Sequence, residues 1–437
     1  MLKHNLSFYV ATILNPVSDK KCEYYNQGLL VVEKKRKGSV IKDLLPLGKG
    51  LNKYEDYMND ENTTHYENAL IMPGFFDMHF HWVQDDVREM PKDNLLTWLE
   101  NYTFPTETKF ANKAYAKKRA KEFFKRLTST GTIGGACYSS IHEHAVEAAI
   151  ENVKGHFVIG NVLMNMNSPK KLTQTEKESL EITKRLIQKY KTKHAFTPRF
   201  AITTTPEVMS KGAKMADRAK CFKQTHLSET PNEIEFVLSI YKNIKGFEDV
   251  KTYTDIYERS GMLGERSLMG HGIYLSDKEL KTLAKTKTSV IHCPTSNAPI
   301  KERGLGSGLF DFKKTEKAKV RWALGSDIGG GPILSMFDVI RSFVDQNAKK
   351  KVTGATHIKA LYRSTLAGAE ILGLGDKTGN LSVGKEASFI VVPFKGEASK
   401  NAEEMIAKVV APHKRKREAY DHMVSGVYLN GEKIFAR

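Results

Sequence analysis

The chain has 437 residues, 40% apolar and 27% charged, which suffices for a large core and excludes a disordered or fibrous protein. No stretch approaches about 18 uninterrupted apolar residues, and the opening Met1 to Ala11 lacks a secretory apolar run, so no membrane span and a cytoplasmic location are expected. Cys22, Cys137, Cys221 and Cys293 are dispersed without a Cys-x-x-Cys pair, which argues against a disulfide framework or a zinc ribbon.

The formal charge of +18 raises the question of a polyanion partner. Two short basic clusters exist, Lys34 to Lys37 and His413 to Arg417, but elsewhere lysines interleave with Glu and Asp along helices. That pattern is a solvated surface, so no nucleic acid and no membrane are expected as partners.

Residues 1 to about 70 alternate short apolar runs with turns: Ser7 to Leu14, Gly28 to Glu33, and Val40-Ile41. This predicts β-hairpins, followed by a polar loop over 43–66. The stretch Ile71 to His81 then reads as a buried strand ending in two histidines. From there strand-like runs (131–139, 156–164, 195–202, 221–228, 266–275, 289–293, 320–326) alternate with helical patterns such as 112–127, 174–189, 233–241 and 277–285. Eight strand-then-helix units predict a (β/α)₈ barrel over 71–378, with the working residues at the carboxyl ends of the strands. The tail returns to strands at 388–392 and to an Asn-Gly hairpin around Asn430-Gly431. Residues 1–70 and 379–437 are therefore expected to share one small composite β-sandwich domain.

On that scaffold the polar residues fall at strand ends. His79 and His81 stand two apart, so on a strand both imidazoles leave from one face and can chelate one ion. Strand five ends in His226 to Glu229, strand six in His271, strand seven holds His292, and strand eight ends in Asp327. His79, His81, His226 and Asp327 make a His₃Asp ligand set for zinc, with room for a water, and His271 and Glu229 stand next to it. A carboxylate three residues beyond a ligand can shuttle the protons of a water activated by the ion.

These residues, with the Pro73 to His81 motif, resemble the metal-dependent amidohydrolase superfamily. The stretches Trp98 to Glu107, Thr197 to Phe200, Gly270 to Ser276, His292 to Asn297 and Gly325 to Gly331 are similar to the guanine deaminases within it. The resemblance implies hydrolysis of guanine to xanthine and ammonia. It makes His79, His81, His226 and Asp327 zinc ligands, Glu229 the proton shuttle, and His271 the residue that orients the hydroxide, and it gives Gln84, Arg199 and Phe200 the purine. It also implies a homodimer. The binuclear branch needs a lysine on strand four, where this chain reads Phe196-Thr197-Pro198-Arg199-Phe200, so one zinc per chain is expected. Trp82-Val83 stands where small residues are usual, which predicts a bulkier pocket wall. Another aminated ring as substrate (an oxidised guanine, a triazine or a pterin) is the alternative reading, and a catalytically dead scaffold the remoter one.

Overall fold

A computed structural model describes residues 5–411 and 416–437. The basic cluster at 413–417 lies largely outside the described residues. The chain separates into two compact units, one of residues 1–77, 126–134 and 333–437, the other of 78–125 and 135–332.

In the first unit, seven strands form one mixed sheet. β1 (Leu6–Pro16), β2 (Cys22–Lys35), β3 (Gly38–Pro46) and β4 (Thr63–Pro73) come from the amino-terminal segment. The tail adds β13 (Phe389–Pro393), β14 (Gly426–Leu429) and β15 (Glu432–Ala436). The order is β15-β14-β13-β4-β1-β2-β3, with β1 and β4 parallel and the other neighbours antiparallel. The run Leu29 to Val32 is apolar throughout rather than alternating because both faces are covered. Leu30 and Val32 join Tyr9, Ile71 and Phe389 in one cluster, while Leu29 and Val31 join Phe8 and Tyr54 in another. The composite of both chain ends is thus one continuous ladder carrying an apolar cluster on each face.

Eight parallel strands make the barrel: β5 (Phe75–His81), β6 (Thr132–Ser139), β7 (His156–Leu163), β8 (Ala195–Pro198), β9 (Phe222–Leu227), β10 (Ser267–His271), β11 (Ser289–His292) and β12 (Trp322–Leu324). Every residue of β5, β6, β10, β11 and β12 is buried, as expected of parallel strands covered on both faces. The first and last strands meet where the Asp327 N–H donates to the His79 carbonyl at 2.7 Å. Intervening helices fall where the 3.6-residue pattern puts them, at Lys113–Ser129, Glu176–Tyr190, Pro231–Tyr241 and Asp277–Lys285. No helix among the described residues is long and apolar enough to cross a membrane.

Two local expectations are corrected. The stretch Ile71 to His81 is not one strand: Ile71–Pro73 ends β4 of the mixed sheet, and β5 starts at Phe75. The presumed loop at 43–66 contains the end of β3, a helix at Leu47–Tyr54 and the start of β4.

Candidate active site

β5 delivers His79 and His81 to the barrel mouth, β9 delivers His226, β10 His271, and the turn after β12 Asp327. His79 Nε2 lies 3.3 Å and His81 Nε2 3.5 Å from Asp327 Oδ1, and the Nε2 atoms of His81 and His226 are 3.1 Å apart. Four donors around one ion at about 2.0–2.1 Å stand about 3.3 Å from each other in a tetrahedron, so these side chains are spaced as ligands of one cation. Burial pushes His79, His81 and His226 below the ordinary histidine pKa, leaving neutral imidazoles with lone pairs to offer. His226 Nδ1 is 2.7 Å from the Arg199 carbonyl, which fixes its proton there and turns the Nε2 lone pair toward His81. Burial works against the Asp327 carboxylate, yet the His79 contact and the surrounding imidazoles hold its pKa below the usual carboxylate value.

A fifth group joins these four, because the donor atoms of His79, His226, His271 and Asp327 also lie within 4.8 Å of one another. His271 is otherwise engaged, however. Its Nδ1 is 3.1 Å from Asn297 Nδ2 and its Nε2 is 3.4 Å from Glu229 Oε2, so it faces the carboxylate as much as the cluster. We therefore take His79, His81, His226 and Asp327 as the set that fits a metal. Close approach here needs glycine: a Cβ at Gly270 would lie 2.6 Å from His79 Cε1, and one at Gly325 would lie 2.8 Å from the His79 backbone nitrogen. The only lysine on β9, Lys223, is turned away to Asp217 at 2.8 Å and the Gly261 carbonyl at 2.9 Å.

Glu229 is 2% exposed and is held by its own hydrogen bonds. Oε1 accepts from Ser307 Oγ at 2.8 Å and Asn297 Nδ2 at 3.1 Å, which leaves Oε2 facing His271. Burial raises the Glu229 pKa, partly offset by His271 and these two donors, so the carboxylate takes a proton more readily than an exposed one. Burial opposes charge on His271, but Glu229, Asp327 and Glu233 outweigh it and lift its pKa. Three residues in or beside the cluster adopt left-handed backbone, Ser228 (φ 50°), His271 (φ 70°) and Asp327 (φ 48°). Each such conformation costs about 1–3 kcal/mol and is typical of residues that a site holds in place.

A cavity adjoins the cluster, and Gln84, Arg199 and Phe200 line it together with His81, Glu229 and Asp327. The sequence-selected residues other than His79 thus line one cavity. Sequence reasoning missed three more. Glu107, wholly buried, takes Arg199 Nη1 on both oxygens at 2.7 and 2.9 Å and Gln84 Nε2 at 3.0 Å. Glu233 lines the cavity while its Oε2 accepts the Glu229 and Thr230 N–H groups at 2.8 and 3.2 Å. Burial, then the Glu229 charge, pushes its carboxyl up to about 7. Trp98 also lines the cavity, with its buried indole N–H bonded to no partner among the described residues. Glu107 and Trp98 bound the stretch whose resemblance the sequence showed, but nothing local gave them roles.

The expectation of a bulky wall at Trp82 is corrected. Its ring is buried against Phe110 at 5.0 Å and Phe124 at 5.8 Å, its indole donates to Ser139 Oγ at 3.0 Å, and it does not line the cavity. Trp82 opens the 3₁₀ turn Trp82–Val87 that follows β5, and its ring packs with that of Phe80 against Phe123. His292 is likewise core, stacked on Phe310 at 4.6 Å, with burial pushing its pKa down to about 3.

Comparison with known proteins shows the family. The amidohydrolase family model matches residues 70–429. Guanine deaminase of Escherichia coli (strain K12) is 34% identical over 337 residues, covering 75% of this chain and 74% of that protein. Guanine deaminase of Dictyostelium discoideum is 29% identical over 99% of this chain and its own full length. Among solved structures, guanine deaminase from C. acetobutylicum with guanine bound in its active site superposes with a TM-score of 0.83 at 27% identity, covering 99% of this chain and 100% of that one. The chain belongs to the amidohydrolase family and, within it, to the guanine deaminases.

Proposed function

We propose that this chain hydrolyses guanine to xanthine and ammonia, using one zinc ion held by His79, His81, His226 and Asp327. The observation that carries the reading is that His81, His226 and Asp327, with His79 3.3 Å from Asp327 behind them, meet Glu229, Gln84 and Arg199 around one cavity. A zinc ion bound there supplies Lewis acidity, which makes water a competent nucleophile near neutral pH. The protein's own groups do the rest. Arg199 and Gln84 fix the ring edge, and Phe200 offers an aromatic face. Glu229 Oε2 takes one proton from the attacking water and gives it to the ring nitrogen, then takes the second from the hydroxyl so added and gives it to the departing amine. A carbon–oxygen bond forms as the carbon–nitrogen bond breaks, with one water consumed and one ammonia released. His271, pinned by Asn297 and Glu229, orients the attacking oxygen.

The count of one zinc rests on the absence of a lysine from β8 and the outward engagement of Lys223. Protein purified without added metal is expected to carry about one zinc per chain, and a chelator is expected to remove ammonia release and metal together. Two metals per chain would overturn the mononuclear reading, and activity that survives complete removal of metal would overturn the ligand assignment. The homodimer implied by the resemblance and the cytoplasmic location expected from the sequence belong to the same proposal, and light scattering should return the mass of two chains.

A further inference from the structure

We infer that Glu107 sets the hydrogen-bond polarity of the purine-reading wall, committing Gln84 to present its carbonyl oxygen so that the site accepts a lactam edge and refuses an amidine edge. The inference rests on the proposed deamination of guanine and names how that substrate is told from its nearest isostere.

An ionised carboxylate can only accept hydrogen bonds. Glu107 is wholly buried and its two oxygens already accept from Arg199 Nη1 at 2.7 and 2.9 Å, a guanidinium that has donors only. The Gln84 atom 3.0 Å from Glu107 Oε1 must then be the amide nitrogen, because a carbonyl oxygen there would face an acceptor. The orientation of an amide, normally ambiguous, is decided here by its neighbour. Gln84 Oε1 is left with no donor among the described residues, and Gln84 lines the cavity. Arg199 is fixed by the same carboxylate and by the Phe104 ring 5.1 Å from its guanidinium carbon. Its Nε–H and Nη2–H groups carry no hydrogen bond among the described residues, and it lines the same cavity.

The wall therefore offers donors from Arg199 beside an acceptor from Gln84. A ring carbonyl next to a ring N–H, as in guanine, matches that order. An amino group next to an unprotonated ring nitrogen, as in adenine or 2,6-diaminopurine, reverses it at both positions. Buried polar groups left facing like groups are what allow large discrimination between molecules of the same shape. Glu107 itself touches no substrate in this scheme; it is a positioning residue that acts through Gln84 and Arg199.

The test compares guanine with 2,6-diaminopurine, which carries the same leaving amino group and differs only at the reversed edge. In Glu107→Gln the new amide can donate to Gln84 Oε1 and release the flip. The ratio of kcat/KM for guanine over 2,6-diaminopurine is expected to fall by about 10-fold or more, with zinc content unchanged. A variant that lowers both substrates equally, leaving the ratio unmoved, would overturn the inference, since a merely structural role predicts that. Should Glu107→Gln not fold, Gln84→Met decides, because it removes the acceptor without disturbing the ion pair. The ratio should fall if Gln84 presents oxygen and rise if it presents nitrogen. Failure of the wild type to release ammonia from guanine would instead strike the proposed function, so the two can fail separately.

Discussion

Replacing Glu229 by glutamine will leave about one zinc per chain and reduce turnover of guanine by about 10²–10⁴-fold. The amide fills the same space and can still meet Ser307 and Asn297, which hold the carboxylate at 2.8 and 3.1 Å, so the loop and the cavity should persist. What disappears is an oxygen able to take a proton and give it back. Because that oxygen works only as bonds change, the loss should appear in kcat, with KM for guanine little altered. Metal analysis beside steady-state kinetics checks both halves. Retention of near wild-type turnover would mean that another group carries the proton, and Glu233, lining the same cavity with a carboxyl raised to about 7, would be the next to examine.

Adenine will be turned over about 10⁴–10⁵-fold less efficiently than guanine by the wild type. An apolar pocket could not discriminate so far. Arg199→Ala should cut the turnover of guanine severely and narrow its advantage over adenine, because the donors that recognise the ring carbonyl are gone. It carries a second cost. The Glu107 carboxylate would stay buried without its cation, which is worth about 3–5 kcal/mol of stability. Arg199→Ala combined with Glu107→Ala should recover part of that stability but none of the discrimination. Denaturant unfolding alongside kcat/KM for both purines separates the two effects. A single variant as stable as wild type would mean that the ion pair seen at 2.7 Å contributes little.

Much of this arrangement was legible because barrel strands are short, wholly buried and apolar, so a histidine or aspartate at a strand end stands out. His226, His271 and Asp327 were conspicuous for that reason, and β5 to β12 fell close to where the alternation of strand and helix placed them. What escaped the sequence was set by contacts distant along the chain. Glu107 meets Arg199 across 92 residues, and no local pattern marks a glutamate at the end of a short helix whose partner lies just beyond β8. Helix Leu47–Tyr54 escaped for a different reason. With Gly48 and Gly50 inside it, intrinsic propensity argues against a helix, but the absence of a side chain at Gly50 lets the backbone lie on Leu29, where an added Cβ would come within 2.5 Å of the leucine. Packing decided the outcome. The break at Gly74 between β4 and β5 was hidden because both flanking runs are equally apolar and buried, so nothing in their hydropathy marks the passage from one sheet to the next.

Hydrolytic deamination of guanine is tested by mass spectrometry of the product formed from guanine in heavy-oxygen water by the zinc-loaded protein. Xanthine carrying one heavy oxygen is expected, formed together with one equivalent of ammonia. Guanine recovered unchanged under those conditions, or ammonia released as fast from adenine as from guanine, would contradict it.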